Sequence, residues 1–464
     1  MRPLPPYAGL FDRTQATAGG LDVSAATALL HRIAYVKQRA AITAAMFLPS
    51  VPEWEAKCAL ALHGWLDAEH AALLYARIAE MREPPPGPDD IPDPLLESAL
   101  DELLAAPTTP ARLAGLYGIV RPALDRAVGT YLAMANGLCD QPSVRLLRLI
   151  AQEETDVVRG WSVEVATAIA DQPDALDWAD HLRRWLASAG GVAGLDPCAN
   201  VPPARFQRPY SPDILPARDT RFRGLYDTST PADVVYLDDT RPADERNAAL
   251  MFKRLREMDV PEVIAGIVSE RWAADRNAGG RGSPWSYYAG MLRQMWDEAR
   301  HAMLGQALME ARGIDWTALP VNVTFSLKLA RYCSPVERHI LLYAIEQSLM
   351  PRGRGKPYEH RVAVESGDRL SMLFHDYDWA DEVLHVEIAR RCLRPELPGG
   401  LAEARRRADV LWERIAAALE RDPMPIDEDA GALRDWWPRF ARLVLDRDVA
   451  PVPRTDLKDW RPLD

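Results

Sequence analysis

The sequence predicts an all-α protein, built as two tandem four-helix bundles joined by a long irregular crossover. Three observations carry that expectation. The long apolar-patterned segments recur with the helical period, and few alternate as strands do. Proline-bearing loops cut them into lengths suited to antiparallel neighbours. A stretch of the first half also reappears in the second: Trp65-Leu66-Asp67-Ala68-Glu69-His70-Ala71 can be laid on Trp296-Asp297-Glu298-Ala299-Arg300-His301-Ala302, since 296 − 65, 298 − 67 and 301 − 70 all equal 231.

In the first half, helices are expected at 23–48, stopped by Leu48-Pro49-Ser50, and at 52–82, with Pro52 in the first turn and the 84–88 PPPGP loop after its end. Two more follow at 110–138 and 142–170, giving a first domain over 1–190. Residues 191–242 are rich in Pro, Gly, Asp and Arg and read as an ordered linker, with 234–237 (VVYL) its one strand-like run. Phe206, Tyr210, Phe222, Tyr226 and Tyr236 are its expected anchors. The second domain, 243–464, repeats the plan with helices at 243–275, 284–312, 335–350 and 366–394. A further helix at 400–421 and one bearing Trp436, Trp437 and Phe440 complete it.

Composition narrows the function. With 48% hydrophobic and 26% charged residues, the chain of 464 can bury a large core, which excludes disordered, collagenous and disulfide-stapled classes. A net charge of -12 argues against nucleic acid as a partner. The five cysteines are scattered without a C-x-x-C pair, as expected of reduced thiols in the cytoplasm. No apolar run is long enough for a membrane span, and the first residues do not read as a signal peptide.

The chemistry concentrates in two Glu-x-x-His segments, Glu298-Ala299-Arg300-His301 and Glu382-Val383-Leu384-His385. Residues three apart share one face of a helix, so a carboxylate and an imidazole can reach the same metal ion. An Asp precedes each Glu, Asp297 and Asp381, and each Glu has another 36 residues upstream, Glu262 and Glu346. Charged residues in mid-helix usually form a solvated face. These instead fall on apolar stripes with Tyr287, Met291 and Met295, or with Phe374, where ionised groups are costly unless a metal or a partner compensates them. Glu262 has a rival in Glu270, which lies on the line of Val263, Ile267 and Ala274. Glu262 itself could close a capping box begun at Asp259. Glu337, within Ser334-Pro335-Val336-Glu337, is assigned to a capping box with Pro in the first turn.

These residues make 243–394 resemble the ferritin-like di-iron carboxylate superfamily, in which two helices each give one Glu and two others each give Glu-x-x-His. Asp297-Glu298-Ala299-Arg300-His301 is similar to the D-E-x-R-H segment of soluble methane monooxygenase hydroxylase and its relatives. The resemblance implies the metal ligands Glu262 (or Glu270), Glu298, His301, Glu346, Glu382 and His385. Asp297 and Asp381 are then expected behind the imidazoles, accepting the free ring N–H. It further implies two iron ions, with manganese as the alternative, and O2 as co-substrate. The activity expected is that of an oxygenase or oxidase acting on a small organic molecule by hydroxylation, N-oxygenation or desaturation. A separate electron donor is implied, because no reductase module is visible, and a homodimer is compatible with it. Tyr287, Met291, Met295, Tyr343 and Phe374 are the expected pocket wall, with the loops 275–283 and 351–365 governing access. The alternatives are a ferroxidase or other iron-handling protein, and a non-enzymatic subunit with a structural metal.

The first half departs from the pattern. Asp67-x-x-His70 remains and Glu153-Glu154 occurs later, but Val157 stands where a second His belongs and the first helix offers His31, Tyr35 and Lys37 rather than a Glu. A degenerate, metal-free bundle is expected there. Gly279-Gly280-Arg281-Gly282 and Arg352-Gly353-Arg354-Gly355 follow no strand and lack P-loop spacing, so they are read as loop closures.

Overall fold

A computed structural model describes residues 4–450, apart from 83, 88, 199–201, 207–212, 223–224, 226–231, 279–281, 352 and 424–435. The described residues form helices and no β-strand, the expected all-α class. Among them, no helix is long and apolar enough to cross a membrane. The chain divides into two compact units. One comprises Met1–Phe47, Leu62–Ser211 and Ala278–Ala289; the other comprises Leu48–Ala61, Pro212–Asn277 and Gly290–Asp464.

In the first unit, α1 (Val23–Phe47) is buried around its whole circumference from Ile33 onward, which takes Lys37, Gln38 and Arg39 into the interior with its alanines. The helix α2 (Trp54–Ala79) supplies residues from Leu62 on. A helix absent from the sequence expectation, α3 (Pro94–Leu104), starts at an Asp93 cap with Pro94 in its first turn. The expected 110–138 helix runs from Thr109 through a π-helical stretch at Ala114–Val120 into α4 (Arg121–Met134). The 142–170 helix is likewise α5 (Gln141–Glu153), a π-helical turn at Glu154–Val158 and α6 (Arg159–Ala168). A further unforeseen helix, α7 (Pro173–Ser188), packs on α3, while α1 packs on α3 and α4.

The second unit begins its helical run with α8 (Ala243–Leu255), a 3-10 turn at Arg256–Met258, and α9 (Asp259–Asn277). Pro261 has no N–H to give the Glu257 carbonyl four residues back, so the hydrogen-bond ladder is interrupted at that turn. Then come α10 (Trp285–Glu310), α11 (Thr324–Tyr332), α12 (Pro335–Ser348), α13 (Lys356–Ser366), α14 (Arg369–Leu393), α15 (Gly400–Arg421) and α16 (Trp436–Leu445). The Ser334–Glu337 capping box is present at the start of α12. Helix α12 packs on α9, α14 and α15, and α13 is wedged against α8 and α14. Trp54, Met251, Phe252, Leu255, Met309, Trp316 and Phe440 belong to one apolar core beside α8.

Two expectations are corrected. The 234–237 run is no strand: Asp233–Tyr236 is a helical turn with Val235 and Tyr236 buried. Of the expected access loop 351–365, everything from Lys356 onward is helix α13, which buries Lys356, Tyr358, Glu359, Val362 and Ala363. The expected anchors Tyr210 and Tyr226, the loop residues Gly279, Gly280, Arg281 and Arg352, and the tail after 450 lie outside the described residues.

Candidate metal centre

Four segments of the second unit bring acidic and imidazole side chains to one place, and a fifth adds a lysine. Helix α10 supplies Glu298 and His301, α14 supplies Asp378, Glu382 and His385, α12 supplies Glu346, the 3-10 turn supplies Glu257, and α13 supplies Lys356. The Glu298 carboxylate lies between the two imidazoles, with Oε2 3.4 Å from His301 Nδ1 and Oε1 3.2 Å from His385 Nδ1. The far nitrogen of each ring faces an Asp on the other helix: His301 Nε2 is 3.1 Å from Asp381, and His385 Nε2 is 3.4 Å from Asp297. Arg293 donates to Asp297 and Arg300 to both aspartates. Asp297 and Asp381 are thus fixed acceptors, which puts the ring proton on Nε2 and leaves Nδ1 facing inward in the neutral rings.

The inward atoms form two groups, in each of which the ligand atoms lie within 4.8 Å of one another: Glu298, Glu346, Glu382 and His385, and alongside them Glu257, His301 and Asp378. His301 Nδ1, His385 Nδ1, Glu257 Oε2, Glu346 Oε2 and Glu382 Oε2 are all buried without a hydrogen-bond partner. Leaving so many polar atoms unsatisfied in one spot is expensive, and all five are of the kinds that ligate a metal. Carboxylate oxygen with imidazole nitrogen is a hard-to-borderline donor set, suited to iron or manganese. By donor type and placement, the residues fit two ions.

The charges point the same way. Among the described residues, Lys356 and Arg254 are the lysine and arginine that pair with this acidic group, through Glu257, Asp378 and Glu382. Without an ion, protons must supply the balance. Burial disfavours charge on His301, but Asp378, Asp381 and Glu298 overcome it and hold the ring up to about 10. His385 is held well above the ordinary imidazole range by Asp297, Glu298 and Glu382 against the same burial. Burial pushes Glu346 well above the carboxylate range and Glu257 up to about 7. Glu298 goes the other way: burial would raise it, but the two imidazoles keep it below the ordinary range.

Of the residues expected from sequence, Glu298, His301, Glu346, Glu382 and His385 come together and Glu262 does not. Five residues along a helix from Glu257 is a rotation of about 140°. Glu262 accordingly faces elsewhere, with both carboxylate oxygens committed: Lys57 Nζ at 2.8 Å, Arg218, and Ser326 Oγ at 3.0 Å. The rival Glu270 is paired with Arg338. Glu257 fills the position on the first helical run. Pro261, four residues on, is the sequence signal that could have drawn attention to it.

Among the expected pocket residues, Met291 and Met295 are fully buried on α10 and Tyr343 is buried on α12. Phe374 packs into the apolar core beside α8, and Tyr287 falls in the segment belonging to the first unit. Gln294, not foreseen, donates to Glu346.

Two more groups have metal-compatible spacing, but protein cations occupy them. Glu359, His375 and Asp378 cluster on α13 and α14, where Lys253 and Arg254 take Glu359, and Arg254 and Lys356 take Asp378. In the first unit, Asp67, His70 and Glu154 cluster around Lys37 and Arg121. Lys37 Nζ is 2.8 Å from Asp67 and also bonds Glu154, while Arg121 reaches Asp67 at 2.7 Å and Glu154 at 3.5 Å. There two buried carboxylates meet two buried cations.

Comparison of the chain with protein-family models, with curated proteins and with solved structures finds no match.

Proposed function

We propose that the second unit holds a two-position iron centre of ferritin-like type, with manganese as the alternative metal, and that the protein is an O2-dependent oxidase or oxygenase of a small organic substrate. The observation that carries the metal reading is the set of five buried atoms without a hydrogen bond on His301, His385, Glu257, Glu346 and Glu382, gathered in two adjoining groups of ligand-type atoms. Two bundles in tandem, the first without metal, belong to the same proposal. The helical repeat around Asp67 and Glu298, with Lys37 and Arg121 against the carboxylates of one and not the other, supports it.

Iron held by such ligands supplies electrons to O2 and oxidising power toward a bound substrate. The chain's own residues set the conditions for it. Asp297 and Asp381 hold the ring protons at Nε2, so that Nδ1 is presented as a lone pair. Arg293 and Arg300 hold those aspartates in place. Gln294 orients Glu346 by donating to one oxygen and leaving the other. Met291, Met295 and Tyr343 are buried on the helices that carry Glu298 and Glu346 and would supply apolar surroundings that exclude water in this reading. Electrons come from a separate donor in this reading.

A purely structural metal is favoured by one observation: Glu298, Glu346 and Glu382 are each only 3% exposed and both histidines 0%, a depth that restricts substrate approach. Stopped-flow spectroscopy of the anaerobically Fe(II)-loaded chain mixed with O2 separates the two. The oxidase reading expects O2 consumption and a transient visible absorption that decays faster with a substrate. A loaded chain inert to O2 leaves the structural reading.

A further inference from the structure

We propose that the two metal positions are unequal, because Lys356 serves as the resident cation of the second. The position framed by Glu298, Glu346, Glu382 and His385 takes a divalent ion first. The position framed by Glu257, His301 and Asp378 admits one only in competition with Lys356. This rests on the metal reading above and deepens it.

The placement of Lys356 is specific. Its Nζ is 2.7 Å from Glu382 Oε1, 2.8 and 3.0 Å from the two oxygens of Asp378, and 4.0 Å from Glu257 Oε1. It is 1% exposed, so nothing in solvent balances its charge. Arg254, also buried, is 2.6 Å from Glu257 Oε1 and bonds Asp378. The two carboxylates of the second position are therefore already neutralised by two fixed cations. The first position has three carboxylates, and Lys356 engages one oxygen of one of them, Glu382. An ion entering the second position meets two positive charges at close range in a medium that screens them poorly.

The backbone holds the lysine in that posture. Lys356 is the first residue of α13, and its N–H donates to Leu349 O at 2.8 Å. The preceding Gly355 sits so close to the Leu349 backbone that a Cβ there would collide with it. A loop that required glycine only for flexibility would not need this contact. Here the glycine lets α13 begin tightly against the end of α12, and Lys356 points inward as a consequence.

The test is a titration of the full-length, metal-free chain with Mn(II), free ion being read by electron paramagnetic resonance. The wild type is expected to bind one Mn(II) per chain tightly and a second at least about 100-fold more weakly, the order expected for unshielded like charges in a buried site. In Lys356→Gln the gap should close to within about tenfold. His385→Ala should lose the tight ion and His301→Ala should keep it. Two ions of equal affinity in the wild type, a gap unchanged in Lys356→Gln, or a tight ion lost with His301 and kept without His385 overturns the proposal. Should Lys356→Gln fail to fold, the wild-type gap and the two histidine variants decide. No Mn(II) bound by the wild type overturns the metal reading itself, and this inference falls with it.

Discussion

Replacing Lys37 with Met removes one of the two cations that hold the acidic group of the first unit together. Lys37 is 1% exposed on its side chain, and its partners Asp67 and Glu154 are 0% and 6% exposed. Breaking a buried pair by deleting one partner costs about 3–5 kcal/mol. Arg121 remains 2.7 Å from Asp67 but only 3.5 Å from Glu154, so Asp67 keeps a strong partner and Glu154 does not. That puts the expected loss near the lower end, about 3 kcal/mol. For a unit of this size each kcal/mol moves the midpoint by about 2–4 °C, so the transition should fall by about 6–12 °C. The pH dependence gives a second signature. Burial raises Glu154, but Lys37 and Arg121 outweigh it and hold the carboxyl down at about 2, against an ordinary 4.5. Its contribution is therefore complete above about pH 4.5 and is lost as pH falls toward about 2. In the variant that loss should begin at higher pH. Differential scanning calorimetry from pH 3 to 7, with metal analysis of the same samples, measures both. An unshifted transition, or a fall in the metal bound by the chain, would refute the reasoning that lysine and arginine, rather than an ion, balance this group.

Three further outcomes are expected. Glu257→Gln should weaken metal binding by about tenfold or more, whereas Glu262→Gln should spare the metal and cost about 3–5 kcal/mol, because it strands Lys57 and Arg218; metal titration and thermal melts of the two variants check this. Metal uptake near pH 7 should release on the order of two to three protons, from His301 and His385, both held protonated in the ion-free site, and from the raised carboxyls of Glu346 and Glu257. Affinity should consequently drop as pH falls, and calorimetry in buffers of different ionisation enthalpy counts the protons. Asp67→Ala and His70→Ala should leave the metal content of the chain unchanged by elemental analysis, and loss of half the metal from either would mean a second centre.

What was legible in the sequence follows from how local each signal is. Glu298–His301 and Glu382–His385 are visible because a three-residue spacing on a helix needs no knowledge of the rest of the fold. Glu346 is visible because Ser334-Pro335 fixes where its helix begins. Glu257 was passed over for Glu262 because equal spacing to the next helix assumes an unbroken ladder, and Pro261 breaks it. The partners that claim Glu262, Lys57 and Arg218, come from remote segments that no periodicity connects to it. Lys356 was hidden for a different reason: Pro351-Arg352-Gly353-Arg354-Gly355-Lys356-Pro357 has the composition of a loop, and Pro357 in a first helical turn looks the same from sequence as Pro in a connector. The all-helical class was legible throughout because it rests on many segments at once. Helices α3, α7, α11 and α13 escaped the period test, each opening in or beside a stretch of loop-like composition.

Anomalous diffraction from crystals of the iron-loaded protein, collected above and below the iron edge, tests the central claim most directly. The account predicts a strong iron peak among Glu298, Glu346, Glu382 and His385, at about 2.0–2.2 Å from the ligand atoms. A second, weaker peak is expected beside Glu257 and His301. Crystals whose iron peaks lie elsewhere, at Asp67 and His70 or on the surface, with the atoms around Glu298 bridged only by water and Lys356, would contradict it.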